Sequence, residues 1–296
     1  MSEIAGPWAH REAVVNGVRL HYVEAGPDGG PLVVLLHGFP EFWYAWREQI
    51  PALAAAGFRV VAPDMRGYNT SEKPPGVRAY RIETLVADVA GLIAHVAAPG
   101  AARAAVVGHD WGGGVAWATA MRRPDVVRKL VILNAPHPGA LLRQYRRDPA
   151  QLLRSWYIFA FQVPVLPELL FALGDYAMLR RVFRTEPVRP GAFAAEDIRR
   201  YRDAFAQPGA RTATIHYYRA AVRRDPRTAA SDVRPIAAPT LLIWGMNDPY
   251  LGPGLTENLG EWVPNLRVER LPGASHWVQH DEPERVNALL REFLAL

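Results

Sequence analysis

The sequence predicts an α/β protein in which a mostly parallel, doubly wound sheet is interrupted by one inserted helical section. Short apolar, β-branched runs alternate with helix-compatible segments up to residue 136. Between residues 137 and 231 such runs are missing, and aromatic, Leu and Arg side chains recur at helical spacing. Strand-like runs return after residue 232. We therefore predict a core domain formed by residues 1–136 and 232–296, and a helical domain formed by residues 137–231.

The strands of the core follow one another in a recognisable order. REAVVNGVRLHYVEAG is typical of a hairpin that turns at Asn16–Gly17. The runs PLVVLLHG, FRVVAPD, RAAVVGHD and VRKLVILNAP are typical of buried parallel strands, and EFWYAWREQIPALAAAG is a helix between the first two. PTLLIWGMND and LRVERLPGAS supply the last strands, and EPERVNALLREFLAL is an amphipathic closing helix.

The composition of the chain excludes some kinds of reaction and binding partner. The chain has no cysteine, which excludes disulfides, thiolate nucleophiles and cysteine-bound metals. Its net charge is +5, and residues 137–231 hold 16 Arg against 8 Asp and Glu. Because these arginines lie among acids on helix-like stretches, we expect an ordinary solvated surface and no nucleic-acid partner.

No membrane partner is expected either. The longest apolar stretch, which begins at Trp156, is broken by prolines and polar residues before it is long enough to cross a bilayer as a regular helix. The segment MSEIAGPWAHRE has no apolar region typical of a secretory signal. We therefore expect a cytoplasmic protein, as a monomer or homodimer.

The segment GHDWGGG, residues 108–114, follows the apolar run AAVV and precedes a helical run. This layout is typical of a nucleophile elbow, a sharp strand-to-helix bend that displays one reactive side chain. Asp110 holds that position, and the N–H groups at the helix start favour a carboxylate there. The alternative is that Asp110 only caps the helix. We predict that Asp110 is a nucleophile.

Other polar residues follow strand ends, where ligands of open α/β sheets bind. HGFP follows one strand, and the backbone N–H groups of Phe39 and Trp111 are predicted to form an oxyanion hole. His37, Pro40 and Trp111 are also candidate substrate-binding residues.

Asp248 and His276 complete the predicted constellation. The order nucleophile, acid, histidine matches a known triad order, and a histidine held by a carboxylate is a suitable general base. The position of the acid is ambiguous, but the preceding strand ends at Asn134, which cannot carry a charge, so Asp248 is the predicted acid. His276 and His280 are four residues apart, but no HExxH motif or other ligand cluster accompanies them, so neither a metal nor a cofactor is predicted.

Five blocks in order resemble the epoxide hydrolase branch of the α/β-hydrolase superfamily, over nearly the whole chain. They are HGFPEFWYAWREQ, APDMRGYNTSEKP, GHDWGGGVAW, WGMNDPY and GASHWVQHDEPERVN. The resemblance implies an α/β-hydrolase fold in which the helical section is a cap over the site. It also implies two proton-donating cap tyrosines, matched by Tyr157 in SWYIFAFQ and by Tyr218 in HYYRA. Tyr217 would face elsewhere on a helix, and Trp156 is a candidate substrate-binding residue of the cap.

The implied reaction is the hydrolysis of a small-molecule epoxide to a vicinal diol by water, without a cofactor. Asp110 would form an alkyl ester, and His276 would activate water to hydrolyse it. A haloalkane or haloacid dehalogenase with the same Asp–His–Asp triad is the first alternative, although Phe39 stands where such enzymes often carry asparagine. A non-catalytic binding protein of the same fold is the second.

Overall fold

One eight-stranded sheet organises the protein, whose structure is a computed structural model that describes residues 4–97, 103–224 and 233–295. The strands are β1 (Ala9–Val15), β2 (Val18–Ala25), β3 (Leu32–Leu36), β4 (Arg59–Pro63), β5 (Ala104–His109), β6 (Val127–Leu133), β7 (Thr240–Gly245) and β8 (Leu266–Leu271). Their spatial order is β1-β2-β4-β3-β5-β6-β7-β8. Only the β1–β2 and β2–β4 pairs are antiparallel. The predicted α/β-hydrolase fold class, with its mostly parallel sheet, is confirmed.

Helices cover the sheet and fill the connection between β6 and β7. They are α1 (Gln49–Ala55), α2 (Ile82–Val96), α3 (Trp111–Arg122), α4 (Pro138–Arg147), α5 (Pro149–Arg154), α6 (Trp156–Ala160), α7 (Leu166–Thr185), α8 (Ala195–Phe205), α9 (Ala210–Val222), α10 (Val278–Asp281) and α11 (Pro283–Ala295). Short 3₁₀ turns lie at Trp43–Trp46, Val77–Tyr80 and Pro253–Thr256. Helix α7 is broken at residues 173–176, whose backbone angles are not helical.

The sheet is buried on both faces because its central strands consist mostly of apolar residues. All residues of β3 and β5 are buried. Alternate residues point to opposite sides, so Val34 and Val106 join one core cluster while Leu35 and Val107 join the other. The site-bearing loops therefore extend from a rigid sheet.

The described part of the predicted helical section is helical. Residues 138–222 contain α4–α9, and no strand occurs in the described part, 137–224. The predicted boundary at residue 231 lies outside the described residues. None of the described helices combines the length and apolar character that a membrane span requires.

Candidate active site

Asp110 stands at the bend between β5 and α3 in a strained backbone conformation. Its φ of 50° and ψ of −119° lie outside the regions that L-residues favour, a strain of roughly 1–3 kcal/mol. The side chain does not cap α3; its Oδ1 accepts a hydrogen bond of 2.7 Å from the Phe39 N–H instead. The geometry therefore favours display of the carboxylate over helix capping.

Glycines make this bend possible because three backbones meet here. A Cβ at Gly112 would lie 2.1 Å from the carbonyl oxygen of Leu36, the last residue of β3. A Cβ at Gly108 would lie 2.3 Å from the carbonyl oxygen of Gly112. Only glycine lets α3 start this close to the sheet.

His276 lies between two carboxylates. Its Nδ1–H donates to Asp248 Oδ2 at 2.7 Å, and its Nε2 lies 3.8 Å from Asp110 Oδ2. Burial opposes the positive charge, but Asp248 and then Asp110 raise the pKa of His276 to about 9. The imidazole is thus oriented with Nε2 towards Asp110.

Asp248 is fixed by hydrogen bonds to both carboxylate oxygens. Oδ1 accepts from the N–H groups of Tyr250 and Leu251, at 2.8 and 2.9 Å. Oδ2 accepts from Asn134 Nδ2 at 2.8 Å as well as from His276. With so many donors, Asp248 is well placed to orient the histidine.

Two backbone N–H groups flank the Asp110 carboxylate. The Phe39 N–H already donates to it. Trp111 is the first residue of α3, and no acceptor for its N–H is found in the described parts of the chain. The Phe39 N–H thus meets the carboxylate in the structure, and the role of the Trp111 N–H in an oxyanion hole stays a prediction.

Tyr157 and Tyr218 lie beside each other at the site, in an edge-to-face ring contact with centroids 5.8 Å apart. Burial, followed by the nearby Asp110 carboxylate, raises the pKa of both phenols well above the ordinary value. Both are therefore neutral donors at neutral pH. Tyr217 also lines the second cavity, but its hydroxyl is engaged elsewhere and donates to the carbonyl oxygen of Arg66 at 2.7 Å.

Two cavities meet at this tyrosine pair. One of about 340 Å³ is lined mainly by apolar side chains and includes His276 and Trp156. The other, of about 320 Å³, lies on the Trp111 side. Asp110, Tyr157 and Tyr218 line both cavities, so a bound molecule can extend in two directions from the nucleophile.

Comparisons with known proteins identify the family of the chain. A family model of the alpha/beta hydrolase fold matches residues 31–283. The AB hydrolase superfamily protein YfhM of Bacillus subtilis is 43% identical over 94% of this chain and 95% of its own length. Human Epoxide hydrolase 4 is 38% identical over 94% of this chain and 76% of its own length. A crystal structure of a mutant epoxide hydrolase from Bacillus megaterium superposes with a TM-score of 0.86 and 33% identity, covering 97% of this chain and 100% of that one.

The chain belongs to the epoxide hydrolase branch of the α/β-hydrolase superfamily. Most residues singled out in the sequence line the cavities of this α/β hydrolase. Phe39, Pro40 and Trp156 lie at the first cavity and Trp111 at the second. His37 does not: it lines neither cavity, its Nδ1 bonds the Gly38 carbonyl at 3.0 Å and its Nε2 accepts from Met65 N–H at 3.0 Å. The His37 ring is fully buried and holds the loop at Met65. The prediction that His37 binds substrate is therefore corrected.

A buried group of polar side chains supports the His276 loop, and the sequence did not predict it. Glu41, of the HGFPE block, lies 3.0 Å from His109 Nδ1 and 2.8 Å from His280 Nε2. Burial opposes its charge, but hydrogen bonds from His109 and His280 hold the pKa of Glu41 well below its usual range. His109 Nε2 in turn lies 2.9 Å from the carbonyl oxygen of His276. The carboxylate residue close to the HG motif is the only sequence feature that could have indicated this role of Glu41.

A second missed contact joins the helical section to the catalytic loops. Glu186, just after α7, accepts hydrogen bonds from the Tyr250 hydroxyl and from Trp277 Nε1. Tyr250 and Trp277 follow Asp248 and His276 closely in the chain. Nothing in the sequence around Glu186 indicates this partner, because the contact spans about 60 to 90 residues. Among the residues that the structure describes, no group of His, Asp and Glu is arranged to hold a metal ion.

Proposed function

We propose that the chain hydrolyses an epoxide to a vicinal diol through a covalent alkyl ester on Asp110, with water as the second substrate. The observation that carries this proposal is that two phenols, the buried Tyr218 and the partly buried Tyr157, line the same cavities as the Asp110 carboxylate. A carboxylate opposite paired proton donors suits a substrate whose leaving oxygen stays attached to the carbon skeleton. Relatives named as epoxide hydrolases support the same conclusion.

In the first step, Asp110 Oδ2 attacks a ring carbon. A C–O bond to the carboxylate forms while the ring C–O bond breaks, and the leaving oxygen takes a proton from Tyr157 or Tyr218. Because burial and Asp110 keep the pKa of both phenols high, the proton is present when the ring opens. The expelled alkoxide, a poor leaving group in apolar surroundings, is neutralised as it forms.

The second step uses His276 as a base. Esterification removes the negative charge of Asp110, one of the charges that raise the pKa of His276, so that the imidazole loses its proton more readily. Its Nε2 then takes a proton from water, and the resulting hydroxide attacks the ester carbonyl. The N–H groups of Phe39 and Trp111 stabilise the oxyanion on residue 110. Collapse of this intermediate breaks the bond between the acyl carbon and the diol oxygen, which takes the proton of the added hydroxyl group and leaves as the diol. The proton that His276 took from water restores the tyrosine.

We further propose that residues 137–231 act as a cap, because this section supplies both tyrosines and the Trp156 side of the first cavity. The cap would then select the side chains of the substrate and supply the proton donors, whereas the core would supply the nucleophile and the base. None of the steps requires a metal or an organic cofactor.

The decisive experiment traps the ester. His276→Gln incubated with styrene oxide is expected to gain one substrate mass on the intact protein, because alkylation proceeds and hydrolysis does not. The matched control is His276→Gln combined with Asp110→Asn, which has no carboxylate to alkylate. Unmodified protein in both samples, or an adduct in both, would refute the proposal.

A parallel incubation separates the dehalogenase alternative. Wild-type protein is given styrene oxide and, separately, 1-bromobutane, and the diol and bromide are measured. Diol without bromide is the expected result. Bromide without diol would favour a dehalogenase, and neither product would favour a binding protein of the same fold.

A further inference from the structure

One face of α7 exposes leucines to solvent. Leu166, Leu169, Leu170 and Leu173 are 48%, 56%, 46% and 63% exposed. Their spacing of three and four residues places them on one side of the helix. The opposite side is apolar as well, where Phe171 is only 5% exposed. Burial in the fold therefore accounts for one face of α7. On the other face Leu166 and Leu170 line the first cavity, whereas Leu169 and Leu173 lie outside it.

A second exposed stripe lies on α5 and α6. Leu153, Trp156 and Phe159 are 74%, 66% and 54% exposed and are three residues apart. Trp156 from this stripe and Leu166 from α7 both line the first cavity, so that cavity reaches solvent between the two stripes. We call the combined surface the apolar rim; it comprises Leu152, Leu153, Trp156, Phe159, Val163, Val165, Leu166, Leu169, Leu170 and Leu173. A contiguous exposed apolar surface of this kind marks an interaction site.

The segment that carries the apolar rim has an excess of positive charge. Residues 146–184 contain six Arg and three acids. Each acid is already engaged: Asp148 accepts from the Ala150 N–H at 2.9 Å, Glu168 pairs with an arginine at 2.6 Å and Asp175 with another at 2.8 Å. Five exposed arginines make no ion pair within the described residues, namely Arg146, Arg147, Arg154, Arg181 and Arg184.

The combination of positive charge and exposed apolar surface distinguishes between two possible binding partners of the apolar rim. In a symmetric dimer built on this face, each copy would bring the same unpaired arginines to the interface, and like charges would meet. An anionic lipid surface has the opposite charge, and its phosphates are good partners for guanidinium groups. An apolar helix face flanked by arginines is also the composition that lies in a bilayer interface without crossing it.

We infer that this face docks on anionic lipid bilayers, with the apolar rim in the interface and the mouth of the first cavity opening towards the lipid. An apolar substrate then passes from the membrane into the cavity without entering water. The sequence alone predicts no membrane partner, because exposure of these leucines is a property of the fold. The inference does not rest on the reaction proposed above.

The first test measures flotation of the purified protein with vesicles of phosphatidylcholine and phosphatidylglycerol. Wild-type protein is expected to float with these vesicles and to float much less with pure phosphatidylcholine. Leu169→Ser combined with Leu173→Ser should lower the bound fraction about tenfold or more. Neither leucine lines the first cavity, so turnover of a water-soluble epoxide without vesicles should be unchanged. Val14→Ser is the matched control, since Val14 is 74% exposed on β1.

The second test removes charge. Arg181→Gln combined with Arg184→Gln should weaken binding to the anionic vesicles, whereas Arg291→Gln on α11 should not. Equal flotation of wild-type protein and the double leucine variant would overturn the inference, as would no flotation at all. A concentration-dependent dimer in sedimentation velocity that the leucine variant abolishes, without vesicle binding, would assign the face to a second copy of the chain.

Discussion

The Asn134 side-chain amide donates a hydrogen bond of 2.8 Å to Asp248 Oδ2, the same oxygen that accepts from the His276 imidazole. The Asn134 Oδ1 accepts a hydrogen bond of 2.8 Å from the Gly245 N–H, and this bond connects the end of β6 to the end of β7. Asn134 therefore holds the carboxylate that holds the histidine. It is a positioning residue, because it lines neither cavity.

Asn134→Ala is expected to slow ester hydrolysis more than ester formation, because only hydrolysis needs a correctly oriented base. Loss of one hydrogen bond to a buried carboxylate predicts a slowing of about 10- to 100-fold. Stopped-flow measurement of tryptophan fluorescence during one turnover separates the two phases. Asn287→Ala is a matched control, since that side chain donates to the Glu48 carbonyl far from the site. Equal slowing of both phases would contradict the positioning role.

Much of this organisation could be predicted from the sequence, since local patterns fix most of the strands. The Asn16–Gly17 hairpin was predicted from its dipeptide, and both residues have the required positive φ, of 48° and 74°. Asp110, Asp248 and His276 were singled out because each follows a strand, and carboxyl ends of parallel strands meet at one edge.

The remaining contacts could not be predicted because they depend on which way side chains turn. Residue His37 was grouped with Phe39 by sequence proximity, yet its ring points to the Met65 loop. The contact of Glu186 with Tyr250 joins segments that only tertiary packing brings together. The exposure of the α7 leucines could not be predicted either, because their spacing in the sequence also fits a buried helix.

Tyrosine substitutions test the proposed proton donors. Tyr157→Phe and Tyr218→Phe should each slow ester formation by about 10- to 100-fold, and the double variant by more, since no donor then remains for the alkoxide. The rate of the first phase in single-turnover experiments is the measurement. Tyr217→Phe is the neighbouring control because its hydroxyl bonds the Arg66 carbonyl, away from Asp110. A double variant as fast as wild type would remove the tyrosines from the chemistry.

Two glycines of the elbow should respond in opposite ways to alanine. Gly112→Ala places a methyl group 2.1 Å from the Leu36 carbonyl oxygen, so the free energy of unfolding should fall by about 2 kcal/mol or more. At Gly114 a Cβ meets nothing within 4 Å, and Gly114→Ala should stabilise the helix by about 0.5–1 kcal/mol. Urea unfolding monitored by circular dichroism decides between these signs. Similar midpoints for the two variants would argue against the crowded elbow.

We predict that the folded protein loses stability in acid because His137 is buried in its neutral form. Burial, followed by the charge of Arg143, lowers the pKa of His137 from 6.5 to about 4. The unfolded chain therefore binds a proton between these pH values that the folded chain does not bind. The stabilisation contributed by the neutral ring is complete above about pH 6.5 and is lost as the pH falls through about 4.

The variant His137→Asn keeps an N-cap acceptor at the start of α4 but removes the titrating ring. It should be less stable than wild type at pH 7, because the ring stacks on Trp262 at a centroid distance of 4.8 Å. Between pH 7 and pH 4 this deficit should shrink by up to about 3 kcal/mol. Urea unfolding at several pH values measures the change, with the exposed His95→Asn as control. A deficit that stays constant over this pH range would mean that His137 binds its proton equally in the folded and unfolded chain.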